Sequence, residues 1–286
     1  MPSDGDAPTE GGFRAACVQM RSTINRAENT KAALELIDAA AARGATFVAT
    51  PEMTNVVDRN PKRLLADLPD ETGLDELGAF SSAAKRLNIW LLIGSVAVRA
   101  SATHAANRSF LFGPDGRVAA RYNKLHMFDV DLPGGEKWKE SAIYAPGKDA
   151  VLVETTLAKI GLSICYDLRF PGLYRSLAQA GATVLCAPAA FTRQTGKAHW
   201  RTLLRARAIE NGAFVVAPAQ GGLHEDGRET YGHSLIIDPW GKIIAEAEDD
   251  APGVIFATIN PSAAREARRR IPNLDLEHPY KIAILN

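Results

Sequence analysis

The chain has 286 residues, of which 46% are hydrophobic and 23% are charged, and its formal net charge at pH 7 is zero. This composition is typical of a soluble globular protein with a large core, and the charge balance argues against nucleic acid or an anionic membrane as a partner. No run of the sequence approaches the roughly 20 consecutive apolar residues that a transmembrane helix needs.

The amino-terminal segment and the cysteines bear on location. Residues 1–12 are small, acidic and rich in turn formers, without the basic-then-apolar order of a signal peptide, so we expect a disordered lead. The three cysteines, Cys17, Cys165 and Cys186, are odd in number and widely spaced, which does not suggest a disulfide framework. The sequence therefore predicts a cytoplasmic protein.

Strand and helix patterns alternate along the whole chain. The first half predicts a strand Phe13–Met20, a helix Ala27–Arg43, a strand Thr46–Thr50, a helix Leu74–Leu87, a strand Ile89–Val98 and a hairpin of Ser109–Phe112 with Val118–Arg121. The second half predicts a hairpin of Val151–Glu154 with Lys159–Ile164, a helix Pro171–Ala180, a strand Thr183–Ala187, a helix Lys197–Glu210, a strand Ala213–Ala217, a hairpin of Ser234–Asp238 with Lys242–Glu246, a strand Gly253–Ile259 and a helix Pro261–Arg270.

This alternation predicts one α/β domain with mixed sheets over residues 13–270, because strands between helices are buried on both faces only when sheets and helices stack in layers. The strand order stays open at this point. The remaining tail, 271–286, carries prolines and isolated apolar residues. We expect it either to pack on a partner subunit or to form a simple surface strand.

Cys165 stands where an apolar strand ends and a polar turn leads into a helical pattern. Unpaired backbone N–H groups and the helix dipole at such a place favour a thiolate, which is the form that attacks carbonyl carbon. A small buried hydrophobe is the alternative reading of a free cysteine.

Two further ionisable residues lie where predicted strands end. Glu52 follows the strand Thr46–Thr50, and Lys124 follows the second strand of the first hairpin. Because open α/β sheets bind ligands at the carboxyl ends of their strands, Glu52, Lys124 and Cys165 could meet in one pocket. Taken singly, each has another explanation: an exposed carboxylate, an exposed ammonium group and a buried thiol.

The segments around these three residues resemble the signature segments of the nitrilase (carbon–nitrogen hydrolase) superfamily and occur in the family's order of Glu, Lys and Cys. The three segments are Pro51–Met53, Asn123–Asp129 and Gly161–Pro171, and Thr195–Trp200, Tyr231–Ser234 and Asp238–Gly241 also match. The resemblance covers nearly the whole chain. It implies a four-layer αββα sandwich with two mixed β-sheets, assembled as a homodimer or homotetramer.

The resemblance also implies the chemistry of an amidase. Cys165 would attack the amide carbon to give a thioester, and Glu52 would act as general base, a role for which we expect a raised pKa. Lys124 and the backbone N–H of Tyr166 would stabilise the oxyanion. A second family glutamate is matched by Glu140, with Glu136 as the competing candidate. Water completes the hydrolysis, and no metal or organic cofactor is expected.

Substrate contacts are predicted from the same resemblance. Arg169 is either a clamp for a substrate carboxylate, which suits the geometry of a guanidinium group, or a structural salt bridge that anchors the turn. Thr195 matches a threonine that the related ω-amidases place near that carboxylate, and Phe191 and Thr192 follow the same strand and are expected to line the pocket.

Several activities and one inactive alternative stay open. Segments Arg205–Glu210, Ala219–His224 and Tyr231–Ser234 look closest to the deaminated glutathione amidase branch, which cleaves a glutathione whose amino group has become a ketone into an α-keto acid and a dipeptide. The alternatives are an ω-amidase that frees ammonia from 2-oxoglutaramate, an N-carbamoyl amide hydrolase, a nitrilase, and a catalytically silent scaffold. A Cys–His pair with His199 or His233 explains fewer residues, and the six histidines show no ligand spacing.

Overall fold

The computed structural model describes residues 11–133 and 135–285. Apart from its last two residues, the predicted disordered lead over 1–12 lies outside the described residues. Two six-stranded sheets form the framework of the fold. In chain order, the strands of both are β1 Phe13–Gln19, β2 Phe47–Ala49, β3 Trp90–Arg99, β4 Ala105–Phe112, β5 Val118–Asn123, β8 Val151–Glu154, β9 Lys159–Leu162, β10 Val184–Cys186, β11 Phe214–Ala217, β14 Leu235–Ile237, β15 Ile243–Glu246 and β16 Gly253–Ile259.

The two sheets share one pattern of strand pairing. The first sheet runs β16-β1-β2-β3-β4-β5 and the second runs β8-β9-β10-β11-β14-β15. In each, successive pairs are antiparallel, parallel, parallel, antiparallel and antiparallel. Each sheet therefore has three parallel strands at its centre, and the carboxyl ends of those strands lie at one edge.

Helices cover the outer face of each sheet. The helices are α1 Arg26–Ala42, α2 Pro61–Asp67, α3 Asp75–Leu87, α4 Pro171–Gln179, α5 Arg193–Asn211 and α6 Pro261–Arg270. Helices α1 and α3 contact the first sheet, and α4 and α5 contact the second. Side chains alternate along β1, so that Ala15 and Cys17 join the core between the sheets whereas Ala16 and Val18 join the core beneath α1 and α3. The predicted four-layer αββα sandwich is confirmed.

Several segments differ from their predictions. Helix α5 begins at Arg193, four residues before the predicted start, because Thr192 caps its amino end. Helix α2 and two small hairpins have no counterpart among the predicted elements; the hairpins are β6 Asp129–Asp131 with β7 Lys137–Lys139, and β12 Gly221–Leu223 with β13 Glu229–Tyr231. These three-residue strands are too short for an alternating pattern to identify them.

Candidate active site

Glu52 lies just beyond the carboxyl end of β2 and is 3% exposed. Its carboxylate accepts three hydrogen bonds: Oε1 from Lys124 Nζ at 2.9 Å and from Asn107 Nδ2 at 2.8 Å, and Oε2 from the backbone N–H of Ala190 at 2.8 Å. Ala190 follows β10, so the glutamate of one sheet is held by the backbone of the other. A buried carboxylate with this many donors is stabilised as the anion.

Lys124 follows β5 and is also buried, at 2% exposure. Its Nζ donates to Glu52 and to both oxygens of Glu140, at 2.9 Å to Oε1 and 2.8 Å to Oε2. Glu140 Oε2 accepts in addition from the backbone N–H of Phe128 at 2.6 Å. The competing Glu136 accepts instead from Trp138 Nε1 at 2.8 Å. Of the two candidate glutamates, Glu140 is therefore the one that contacts the lysine.

Cys165 begins a short 3₁₀ helix, Cys165–Arg169, and two residues separate it from the end of the strand β9. Its φ of +48° is in the left-handed region, which a non-glycine residue adopts at a cost and which occurs often at functional sites. The backbone N–H of Cys165 donates to the Pro188 carbonyl at 2.9 Å, and the thiol lines the same cavity as Glu52 and Lys124. The structure thus brings Glu52, Lys124 and Cys165 together, as the strand ends predict.

The protonation states of these groups correct two expectations. Burial and the negative charge of Glu52 raise the pKa of the Cys165 thiol well above its usual range, so the resting cysteine is a thiol and not the expected thiolate. Burial would also raise the pKa of Glu52, but the charge and hydrogen bonds of Lys124 outweigh it and lower this pKa, contrary to the expected rise. For Lys124, burial is outweighed by Glu140 and Glu52, and its pKa is raised. The site is at rest with a thiol beside an ionised carboxylate.

A buried carboxylate, that of Asp167, holds the turn around Cys165 in place through hydrogen bonds. Asp167 is fully buried, and its oxygens accept from the hydroxyl of Tyr122 at 2.6 Å, the backbone N–H of His126 at 3.0 Å and that of Ile164 at 2.9 Å. His126 Nδ1 lies 2.7 Å from the same carboxylate. Asp167 therefore joins the cysteine turn to the segment that carries Lys124.

A cavity of 340 Å³ opens above the thiol, within the size range of small-molecule sites. Three of the four predicted substrate-binding residues line it, Phe191, Thr192 and Thr195, and so does Tyr166, whose N–H was predicted to bind the oxyanion. Arg169 does not; its guanidinium lies 3.3 Å from His199 Nδ1 and over the rings of Phe191 and Tyr166. Arg169 thus lies outside the cavity lining and forms no ion pair within the described residues, and both of its proposed roles, substrate clamp and structural salt bridge, stay predictions.

Several residues at the site were not anticipated. Asn107 is buried on β4 and donates to Glu52 and, at 3.3 Å, to Glu140; a polar residue inside an apolar strand could have indicated it. Arg59, Trp138 and Arg228 also line the cavity. Trp138 and Arg228 belong to the two hairpins absent from the predictions, so no pattern indicated them.

The histidine alternative finds no geometric support. His199 faces Arg169, and His233 Nδ1 lies 3.1 Å from the carbonyl of Ala247; neither lines the cavity above the thiol. Over 11–133 and 135–285, no group of three or more His, Cys, Asp or Glu side chains is arranged to hold a metal ion. None of the helices in these ranges is long and apolar enough to cross a membrane.

Known proteins resemble this chain over most of its length. The carbon–nitrogen hydrolase family model matches residues 14–269. The deaminated glutathione amidase of Synechocystis sp. (strain PCC 6803) is 42% identical over 266 residues, covering 92% of this chain and 97% of the relative. The mouse protein of the same name is 39% identical, covering 92% of this chain and 83% of its own.

Solved structures agree with these sequence matches. The Caenorhabditis elegans NitFhit protein is 36% identical with a TM-score of 0.86, and the match covers 93% of this chain and 65% of that one. Nit3 of Saccharomyces cerevisiae, a member of branch 10 of the nitrilase superfamily, is 26% identical with a TM-score of 0.82 over 93% of this chain and 97% of its own. The αββα layers described above are therefore those of known proteins.

Proposed function

The chain belongs to the carbon–nitrogen hydrolase family, and from that premise we propose that it is an amidase that cleaves deaminated glutathione through a thioester on Cys165. One observation carries the proposal. Cys165, Glu52 and Lys124 line one cavity, with Glu52 hydrogen-bonded to Lys124 and its carboxylate close enough to raise the pKa of the thiol. Such a set supplies a nucleophile, a base and a cation to one carbonyl group.

In the first step Cys165 Sγ attacks the amide carbon while Glu52 takes the thiol proton. Because the pKa of the thiol is high and that of Glu52 is low, proton transfer alone is uphill, and we expect it to accompany formation of the C–S bond. Negative charge then develops on the carbonyl oxygen. Lys124 Nζ and the backbone N–H of Tyr166 would stabilise that oxyanion.

In the second step the tetrahedral intermediate collapses and the C–N bond breaks. Glu52 returns its proton to the departing nitrogen, so the amine leaves neutral and the acyl group stays on Cys165 as a thioester. Water then attacks the thioester, Glu52 takes one proton from it, and the acid and the thiol are released. Glu140 would act as a positioning residue, since both of its oxygens accept from Lys124.

The choice of substrate rests on the relatives and on the walls of the cavity. The Synechocystis and mouse relatives carry the name deaminated glutathione amidase. In this chain Thr192, Thr195 and Phe191 line the cavity, and Arg169 stacks beside Phe191 without a carboxylate of its own. We expect Thr195, which lines the cavity, to contact the carboxylate of the α-keto acid half.

Location and assembly are part of the proposal. We propose a cytoplasmic protein, since Cys17, Cys165 and Cys186 are all free thiols. We further propose a homodimer or homotetramer of 13–270 domains. The exposed apolar side chains of the tail support this proposed assembly. The small-molecule partners are the amide substrate and water.

The experiment is a product-release assay with the wild-type protein on deaminated glutathione, 2-oxoglutaramate, an N-carbamoyl amino acid and a nitrile. We expect kcat/KM to be highest for deaminated glutathione, with the α-keto acid and the dipeptide formed in equal amounts. Faster turnover of another member of the panel would assign the site to that substrate instead. No turnover of any of the four would contradict the amidase proposal and favour a silent scaffold.

A further inference from the structure

One wall of the cavity carries two guanidinium groups packed on a tryptophan. Arg59 Cζ lies 4.8 Å and Arg228 Cζ 4.6 Å from the centre of the Trp138 ring. All three residues line the cavity, and we call them the Trp138 wall. An aromatic face attracts a guanidinium and limits its orientations, so its N–H groups stay available to a ligand.

The other charged groups around the cavity have opposite charges beside them. Lys124 is paired with Glu52 and Glu140, Lys137 with Asp131 at 2.6 Å, and Asp58 with Arg63 at 2.6 Å. Lys139 lies close enough to Asp129 to lower the pKa of that carboxyl. These neighbours offset most of the cavity's charge outside the Trp138 wall.

The guanidinium groups of the wall are more weakly paired than these. Arg228 forms a long ion pair with Asp226, 4.0 Å from Nε to Oδ2, and neither of these two buried atoms has a hydrogen-bond partner. Arg59 forms no ion pair within the described residues. A buried donor left unpaired costs free energy, and a planar carboxylate is the ligand that pairs two guanidinium N–H groups at once.

The position of the wall selects which carboxylate it would bind. Cys165 is buried at the base of the cavity, whereas Arg59 is exposed, so the wall reaches from the cavity to solvent. During the reaction the acyl half stays on Cys165 and the amine half leaves first, which requires the amine half to occupy the open side. Arg169 lies outside the cavity lining beside Phe191 and His199, so Arg59 and Arg228 are the guanidinium groups that line the cavity.

We propose that the Trp138 wall, with Arg228 as its principal residue, is a subsite for the terminal carboxylate of the departing amine. This inference rests on the proposed amidase function. It makes the protein selective for amides whose leaving group is an acidic peptide over amides that release ammonia. Arg59, more exposed and therefore more screened by water, adds less than Arg228.

The test compares two substrates that differ only at that carboxylate. One is the amide of 2-oxoglutarate with cysteinylglycine, and the other carries a neutral carboxamide at its glycine end. For the wild type, capping is expected to lower kcat/KM roughly 10- to 100-fold, the range for a hydrogen-bonded charged group. Arg228→Gln lowers kcat/KM for the uncapped substrate by a similar factor and leaves the capped one unchanged.

Two further variants complete the design. Arg228→Lys keeps the charge without the bidentate geometry and is expected to retain an intermediate preference for the uncapped substrate. Arg193→Gln is the matched control, because Arg193 pairs with Glu229 on the same hairpin but does not line the cavity. Its ratio of the two kcat/KM values should equal that of the wild type.

Three results would overturn the inference. A wild-type ratio near one shows that the carboxylate is not bound. An Arg228→Gln variant that keeps the wild-type ratio, or that slows both substrates equally, shows that Arg228 does not bind that carboxylate. In these cases the wild type still cleaves the amide and the proposed function stands. A wild type that cleaves neither substrate overturns the proposed function, and the subsite with it.

Discussion

At the scale of single residues, the site depends on one cation shared by two carboxylates. Lys124 donates to Glu52 and Glu140, so the two carboxylates raise the pKa of the lysine and its charge lowers the pKa of Glu52. Glu52 is thereby kept ionised beside a protonated thiol. This arrangement is what a general base requires before the substrate binds.

Lys124→Ala tests that dependence. Removing one oxyanion donor costs about 3 kcal/mol, so kcat/KM should fall about 100-fold or more and the variant should be nearly inactive. The pKa of Glu52 should also rise, because burial then acts without the opposing charge. Since activity is lost as the pH falls through the pKa of the base, the acid limb of the kcat/KM profile should move to higher pH.

The control for Lys124→Ala is Lys85→Ala, which removes an exposed ammonium group from α3, away from the cavity. Its profile should superimpose on that of the wild type. Wild-type turnover by Lys124→Ala, or an unmoved acid limb in its residual activity, would contradict the roles proposed for the lysine.

At the scale of elements, the strand ends were predictable and the short hairpins were not. The apolar patterns over β3 and α1 correctly predicted a strand and a helix. The residues that follow β2, β5 and β9 were correctly expected to lie close together. The pKa values of Cys165 and Glu52 were predicted wrongly, because local position says nothing about which charges arrive from distant segments. Trp138 lies on β7 and Arg228 directly precedes β13. Both residues were missed because these three-residue strands are too short to show an alternating apolar pattern.

Asp167→Asn tests the brace beneath the cysteine turn. The asparagine side chain has one acceptor oxygen in place of two, so it cannot accept all the hydrogen bonds that Asp167 accepts. At least one buried donor is then left without a partner. We expect the free energy of unfolding to fall by about 2–4 kcal/mol. Urea denaturation measures this change. The exposed turn variant Asp115→Asn should differ from the wild type by less than about 0.5 kcal/mol, and equal midpoints for the two variants would refute the brace.

Two helical glycines form a matched pair. A Cβ on Gly196 in α5 would lie 2.2 Å from Tyr231 Cβ, whereas a Cβ on Gly172 in α4 has nothing within 4 Å. Gly196→Ala should therefore destabilise the protein by about 1–3 kcal/mol through overpacking. Gly172→Ala should be neutral or stabilise it by up to about 1 kcal/mol. Thermal unfolding that ranks the two variants in the reverse order would show that α5 does not pack closely on β13.

At the scale of the whole molecule, two sheets with the same pairing pattern place the site between them. Glu52 follows the middle strand of one sheet, and the N–H that holds it, on Ala190, follows the middle strand of the other. Relative displacement of the sheets would therefore separate the base from its donor. The tail outside this framework exposes a run of apolar side chains, at 83% for Ile282 and 85% for Ile284.

The tail predicts an assembly that can be measured. Exposed apolar clusters mark interaction surfaces, so we expect the protein to sediment as a dimer or tetramer. Changing Ile282 and Ile284 together to Asp should weaken that association. Leu223→Asp, which alters another exposed apolar side chain at 60% exposure, should not. If the tail variant sediments like the wild type, the tail is a surface segment without a partner.

The attacking thiol is tested most directly by replacing two cysteines separately. Cys165 and Cys186 are both free and buried, but only Cys165 lines the cavity. Turnover of deaminated glutathione by Cys165→Ala should fall by about 10⁴-fold or more, the scale of losing a nucleophile. Cys186→Ala should stay within a few-fold of the wild type. Equal turnover by the two variants would contradict a thioester on Cys165.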